Sequence, residues 1–368
     1  MKEHESWISV NSEPVYHIRC SLEKLKEAGW GYRSERERKD VMSFMKDKMM
    51  AFMLGLGENQ WDDSPTRVNA RGGRYKATLG TDKRVWREIT ERAVEYGFNT
   101  VFIAAVDGLR YKSHPEIAVE GAWEVDELKE ELHRLRELGL TPIPELNFST
   151  AHDIWLGEYS RMVSTPIYYQ VVRDLIHELI DIFDKPEFFM MDHDEENHLI
   201  QRRMDFVCYR QFDLYWHDML YIQDCIREKG VRPWMYCDSY VHHPEEFAKY
   251  VLKDVVVSPW YYGNFYSDAS LGLPQPNSDP DHYNEFILGK IACFTGLPKL
   301  GYDIIPVCSN TSNDFNIYHT IRYIAENVPK EKLLGVGIAP WAKTVESSKY
   351  TFLNAFEQAK DAIDRYCK

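Results

Sequence analysis

The strongest constraint on this chain is an alternation. From Met49 onward a short apolar run recurs eight times, and a stretch of helical periodicity follows each one. The apolar runs are 50–56, 99–106, 140–146, 188–191, 231–237, 254–260, 301–307 and 333–339. The helical stretches are 82–96, 125–138, 165–183, 203–229, 244–252, 281–294, 313–327 and 345–366. In the first of these Val85, Trp86, Ile89, Ala93 and Val94 share one face, Thr81 or Asp82 stands ready to cap it, and Gly97 closes it. Short strands without a polar face are buried on both sides. Strand–helix repetition predicts a parallel α/β sheet, and eight repeats predict a single (β/α)8 TIM barrel spanning 49–368. A doubly wound open sheet would use the same alternation. No G-x-G-x-x-G or P-loop follows the first strand, and Leu54-Gly55-Leu56-Gly57 is only a fragment of one. Residues 1–48 are polar and charged, with two short helical stretches at 21–29 and 34–48, and are expected to be an N-terminal extension packed on the barrel.

Composition narrows the function classes. The net charge of −14 argues against nucleic acid and anionic membrane as partners. No run reaches about 18 apolar residues, so no membrane span is expected. The 7 cysteines are scattered and odd in number, with no C-x-x-C, which fits free thiols in a reducing compartment. The N-terminal MKEHESWISV lacks an apolar signal-peptide core. A cytoplasmic location is therefore expected, unless a leader has been trimmed. Aromatic residues reach 14%, which supplies flat faces suited to stacking on sugar rings.

In a TIM barrel chemistry gathers at the C-terminal ends of the strands. Those ends hold Glu58, Asn59 and Trp61; Asp107 and Arg110; Glu145, Asn147, His152 and Asp153; Asp192, His193, Asp194 and Glu195; Asp238, Tyr240, His242 and His243; Trp260, Tyr261 and Tyr262; Cys308, Ser309 and Asn310; and Trp341 and Lys343. The opposite ends hold mostly Gly, Pro and helix-capping residues. Carboxyl groups that can protonate a glycosidic oxygen, beside aromatic rings that can wall a sugar, suit glycoside chemistry. No G-x-S-x-G supports serine chemistry. A metal site would draw on Asp192, His193, Asp194, His198, His152 and the His242–His243 pair. No H-E-x-x-H spacing is present, and adjacent strand residues point to opposite faces, so no metal or other cofactor is expected.

Some of these ends resemble a known family. Leu140-Thr141-Pro142-Ile143-Pro144-Glu145-Leu146-Asn147, followed by His152, is similar to the third-strand V-I-P-E-I-D-x-P-G-H motif of family 20 glycoside hydrolases, the β-N-acetylhexosaminidases. Residues 99–107 and then 111–117 resemble the second strand and its loop. Asp192-His193-Asp194-Glu195 stands where that family reads G-G-D-E, and 335–341 resembles its G-x-x-x-x-W. The resemblance runs in order from about residue 82 to 343 and implies a carbohydrate substrate and a substrate-assisted, retaining mechanism. Glu195 would be the general acid/base and Asp194 would orient the 2-acetamido group. Tyr261 or Tyr262 would hydrogen-bond that group, and Trp260 and Trp341 would wall the ring. Glu145, His152, Asp107, Asp192 and Asp238 would line the site. The departures are specific. The family's strand-one Asp-x-x-Arg is absent, its strand-eight Trp-x-Glu reads Trp341-Ala342-Lys343, and its Gly-Gly reads Asp192-His193. A sugar-binding protein on a decayed hydrolase barrel, and a metal-dependent hydrolase or isomerase built on 192–198, are the competing readings.

Overall fold

A computed structural model describes residues 47–60, 63–64, 74–201, 204–264, 266 and 280–367, without the side chains of 198–199 and 280–285. All of these belong to one unit, 42–368. Residues 1–46 of the expected N-terminal extension, and Trp61, lie outside the described residues.

Among the described residues eight parallel strands form the main sheet: β1 (Met49–Gly55), β2 (Thr100–Ala104), β3 (Thr141–Glu145), β4 (Phe188–Asp192), β5 (Arg232–Tyr236), β6 (Val256–Ser258), β7 (Val307–Cys308) and β8 (Gly335–Ile338). They pair in the spatial order β6-β5-β4-β3-β2-β1-β8-β7. The two edge strands are joined by parallel bridges Val257–Ile304 and Trp260–Val307, so the sheet closes on itself. Eight helices follow the strands in turn: α1 (Lys83–Glu95), α2 (Val125–Glu137), α3 (Pro166–Ile182), α4 (Phe212–Glu228), α5 (Pro244–Tyr250), α6 (Pro280–Lys299), α7 (Asn316–Asn327) and α8 (Lys349–Tyr366). This is a single (β/α)8 TIM barrel, and among the described residues no helix is long and apolar enough to cross a membrane.

The period-2 rule sorts the strand residues. Met50, Phe52, Leu54, Val101, Ile103, Phe189 and Met191 face outward into the strand–helix layer. Ala51, Met53, Phe102, Ala104, Ile143, Met190, Trp234, Tyr236 and Val256 fill the barrel interior. The buried Trp234 indole N–H is satisfied inside, donating to Ser258 Oγ (2.6 Å), and that hydroxyl donates to the Ile305 carbonyl (2.6 Å). Asp82 caps α1 by accepting from the Arg84 and Val85 amides, and Thr165 caps α3.

Two expected elements differ. The helix expected over 203–229 begins only at Phe212. The preceding residues are committed elsewhere: the Cys208 amide donates to Gln201 Oε1, and Arg210 reaches back to Glu196 and the Phe148 carbonyl. The strand expected over 301–307 pairs regularly only at Val307–Cys308, with an isolated bridge at Ile304.

Gly57 and Gly108 let the loops after β1 and β2 touch. A Cβ on Gly108 would lie 2.5 Å from the Gly57 amide nitrogen and 2.6 Å from the Leu56 carbonyl carbon. Gly230, by contrast, has a left-handed backbone (φ 74°), but a Cβ there would meet nothing within 4 Å. Gly108→Ala is therefore expected to destabilise by roughly 1–3 kcal/mol through overpacking. Gly230→Ala should show only the left-handed cost of about 1–2 kcal/mol. Urea titration of both variants checks this, and an unperturbed midpoint for Gly108→Ala would refute the close approach.

Candidate active site

The end of β4 is irregular. Its register against β5 shifts between Met190 and Asp192, so one extra residue is accommodated there. The backbone then turns left-handed at Asp192 (φ 53°), His193 (φ 58°) and Glu195 (φ 53°). Left-handed backbone suits glycine, and the two leading positions are those at which the resembling family carries Gly-Gly. Here Asp192 and His193 hold that shape despite their Cβ atoms, each at a cost of order 1–2 kcal/mol.

The turn gathers three ionisable groups. His152 Nε2 lies 3.4 Å from Glu195 Oε2 and 3.6 Å from Asp194 Oδ1. Asn147 Nδ2 donates to Asp194 Oδ1 (2.8 Å), and the Asn147 carbonyl accepts from the Trp155 indole (3.0 Å). Burial works against charge on His152, but the carboxylates of Asp194 and Glu195 outweigh it and raise its pKa. Burial pushes Asp194 up to about 6; His152 and Asn147 oppose the rise, while Asp238 and Glu195 add to it.

Glu145 and Asp192 lie deeper. Glu145 faces inward by strand parity, two positions after the inward Ile143, Asp192 meets it from beyond the bulge, and both are almost completely buried. They hydrogen-bond each other, which requires a shared proton. Burial and the charge of Asp194 hold Glu145 at about 8, against the bond to Asp192; burial and the charges of Glu145 and Asp194 hold Asp192 well above the usual carboxylate range. Tyr236, also inward and buried, lies in the field of the same carboxyls.

Behind the turn Arg210 and Glu196 form a buried ion pair. Arg210 donates to Glu196 from its backbone N–H (2.6 Å), Nε (2.9 Å) and a terminal nitrogen (2.6 Å). The same guanidinium donates to the Phe148 carbonyl (2.8 Å), and Glu196 also accepts from the Thr150 amide (3.1 Å). The loop after β3 is thus fastened to the loop after β4, with Glu195 beside the fastening. Sequence reasoning missed Arg210, because position 210 fell inside a stretch read as helix.

Across the mouth stands an aromatic wall. Trp260 and Tyr262 lie 4.9 Å apart, and the Tyr262 hydroxyl accepts from the Trp341 indole (2.9 Å). Trp341 also lies 6.4 Å from Tyr236. Asp194 and Glu195 act electrostatically on Tyr262, which places that ring beside the acidic turn. Tyr261 is turned the other way, against Tyr266 in the outer layer, so of the two expected candidates only Tyr262 faces the mouth. Asp238 accepts from the Trp260 indole (2.7 Å) and from Lys290 (2.8 Å), a lysine that sequence reasoning also missed.

Asp107 belongs to a separate group. It accepts from the Glu58 amide (3.2 Å) and from Asn59 Nδ2, and burial raises its pKa to about 6 against those bonds. It braces the loop after β1. On that loop Glu58 pairs with Lys343 at 2.7 Å. The resembling family carries arginine after strand one and glutamate after strand eight; here the charges on these two strands are exchanged and face each other.

For a cation, His152, Asp194 and Glu195 each offer one ligand atom, all within 4.8 Å of one another. Among the described side chains, the other expected histidines do not join them. His193 is buried against Tyr215, with its pKa pushed to about 3 by burial and by Arg210. His242 stacks on Phe286, and His243 meets Trp216 edge to face. The side chain of His198 is not described.

No protein-family model matches the chain, and no curated protein sequence matches it. Solved structures do. A Vibrio harveyi GH20 exo-β-N-acetylglucosaminidase in complex with N-acetylglucosamine superposes with a TM-score of 0.55 at 14% identity, over 87% of this chain and 56% of that one. A Bacteroides fragilis β-N-acetylhexosaminidase gives 0.56 at 14% identity, over 84% and 65%. A Streptomyces coelicolor A3(2) GH20 β-N-acetylhexosaminidase gives 0.53 at 12% identity, over 84% and 63%. This chain has a barrel similar in fold to those of family 20 enzymes. It spans between about half and two thirds of the length of those three enzyme chains. At such identity the likeness carries the fold; the chemistry of the family 20 type has to be argued from the residues.

The buried pair sets a stability prediction. A glutamate titrates near 4.3 when unfolded, whereas folded Glu145 sits at about 8. The folded chain therefore binds the extra proton. This contribution is fully present below the unfolded pKa and is lost as pH rises through about 8. Glu145→Gln is expected to flatten the fall of Tm between about pH 5 and 9. Thermal denaturation across that range checks it; parallel curves for the two proteins would refute the assignment.

Proposed function

We propose that this barrel is a retaining glycoside hydrolase acting on terminal β-N-acetylhexosaminides with assistance from the substrate. The observation that carries the reading is the Asp194–Glu195 pair, held by His152 and Asn147 at the C-terminal end of β4 and faced by Tyr262 and Trp341. Glu195 is the partly exposed member. In the proposed first step it gives its proton to the glycosidic oxygen as the bond to the anomeric carbon breaks. The acetamido oxygen of the same sugar attacks that carbon and forms a cyclic oxazolinium ion. Asp194 accepts the acetamido N–H and offsets the positive charge that develops on the ring. The Tyr262 hydroxyl, whose oxygen already accepts from Trp341, has its own proton free to donate to the acetamido carbonyl. In the second step Glu195, now a carboxylate, takes a proton from the water that opens the ion, and the anomeric configuration is retained.

A second reading has its own observation. The resembling family grips ring hydroxyls with an arginine on strand one and carries a glutamate on strand eight; after those strands this chain has Glu58 and Lys343, paired with each other. A barrel that binds sugar without turning it over would tolerate that exchange.

Two variants separate the readings. Glu195→Gln is expected to keep sugar binding and to lower turnover by roughly a hundredfold or more on substrates with poor leaving groups, and by less on activated aryl glycosides. Asp194→Asn is expected to harm only substrates that carry the 2-acetamido group. The assay pairs aryl 2-acetamido glycosides with their 2-hydroxy counterparts. Unchanged turnover in Glu195→Gln would remove the proposed acid. Binding with no turnover in the unmodified protein would favour the second reading.

Metal content bears on the third reading. Protein dialysed after purification is expected to carry no stoichiometric zinc or manganese and to keep its turnover in chelator. Metal retained on His152, Asp194 and Glu195, with activity lost to chelator, would replace the glycosidase reading with a metal-dependent one.

A further inference from the structure

We propose that Lys290, on α6, is a positioning residue that sets the aromatic wall of the mouth. The inference rests on the reading that this mouth binds a sugar.

Lysine is seldom fully buried unless it is paired. Lys290 is 1% exposed and sits at the meeting of two groups. Its ammonium donates to Asp238 Oδ1 at 2.8 Å and stands 3.3 Å from the centre of the Trp260 ring. The other Asp238 oxygen accepts the Trp260 indole N–H at 2.7 Å. The indole is therefore held along its edge by the carboxylate and over one face by the cation, and the cation is itself tied to that carboxylate. Two hydrogen bonds and a cation–π contact close a small ring of interactions that fixes both the position and the tilt of Trp260.

The consequence passes along the wall. Trp260 packs on Tyr262, and the Tyr262 hydroxyl holds the Trp341 indole. Both oxygens of Asp238 are engaged by Lys290 and Trp260, so in this arrangement Asp238 serves the wall. A helix outside the barrel thus determines where a stacking surface inside the mouth lies. A sugar that loses contact with a displaced wall binds less well, whereas the acid pair on β4 keeps its own supports in Asn147, His152 and Arg210.

The test uses the whole protein and an aryl 2-acetamido glycoside. Lys290→Met keeps the apolar stem and removes the cation, leaving Asp238 charged and uncompensated. The expected result is a KM raised about tenfold with kcat changed less than about threefold, together with a shift in tryptophan emission. Lys290→Met/Asp238→Asn removes the stranded charge and keeps an amide oxygen for the Trp260 indole, but still lacks the cation over the ring, and is expected to keep a KM raised several-fold and a shifted emission. Should Lys290→Met alone fail to fold, the folded double variant still decides the matter by its KM and emission. A folded Lys290→Met with unmoved KM and emission would overturn the positioning role, as would a folded double variant with the KM and emission of the unmodified protein. If the unmodified protein neither binds nor cleaves the sugar, the functional reading fails first, and the positioning role falls with it.

Discussion

The buried pair of Arg210 and Glu196 is the interaction on which the candidate site depends. A strand that ends in a bulge and three left-handed residues stores backbone strain and will not hold its shape alone. Arg210 supplies the opposing constraint. Its planar guanidinium occupies both oxygens of Glu196 and still reaches the Phe148 carbonyl, so two strand ends are fixed by one side chain. Asp194 and Glu195 precede Glu196 directly, and Asn147 and His152 flank Phe148. The geometry between acid pair and histidine follows from that fastening.

Charge is arranged in pairs around the mouth, with one exception. Lys290 answers Asp238, Lys343 answers Glu58 and Arg210 answers Glu196. The floor formed by Glu145 and Asp192 meets no cation directly. Two like charges in a dry interior cannot both persist, so this pair is satisfied by a proton. The proton on the floor and the imidazole of His152 together limit the negative charge beside Asp194. An extra carboxyl at position 192, where the resembling family has glycine, is therefore tolerated, with its cost appearing in backbone strain and in the pH dependence of stability.

Much of the barrel was legible in the chain. The eight apolar runs and their helices lie close to where periodicity places them, because burial on both faces imposes a pattern that no single contact can override. Helix α4 was misjudged at its start because Cys208 and Arg210 spend their polar groups on Gln201, Glu196 and Phe148, a commitment invisible to local periodicity. Tyr261 and Tyr262 follow β6, and only their ring contacts, with Tyr266 for one and with Trp260 and Trp341 for the other, separate them. Lys290 and Arg210 carry no motif; each is recognisable only by what it faces across the fold.

The chain by itself determined the architecture and the end of the barrel where ionisable residues collect. It did so through short-range rules: alternation of apolar faces, helix caps, and strands that discharge polar side chains at one end. Only the tertiary structure decided which of those side chains meet. It turned His193 away and Asp192 inward, paired Glu58 with Lys343 across two neighbouring strands, and tied the wall at Trp260 to a lysine on an outer helix. The reason is distance along the chain. Asp238 and Lys290, or Glu58 and Lys343, are far apart in sequence, and nothing local to either residue specifies its partner until closure of the barrel brings them within hydrogen-bond reach.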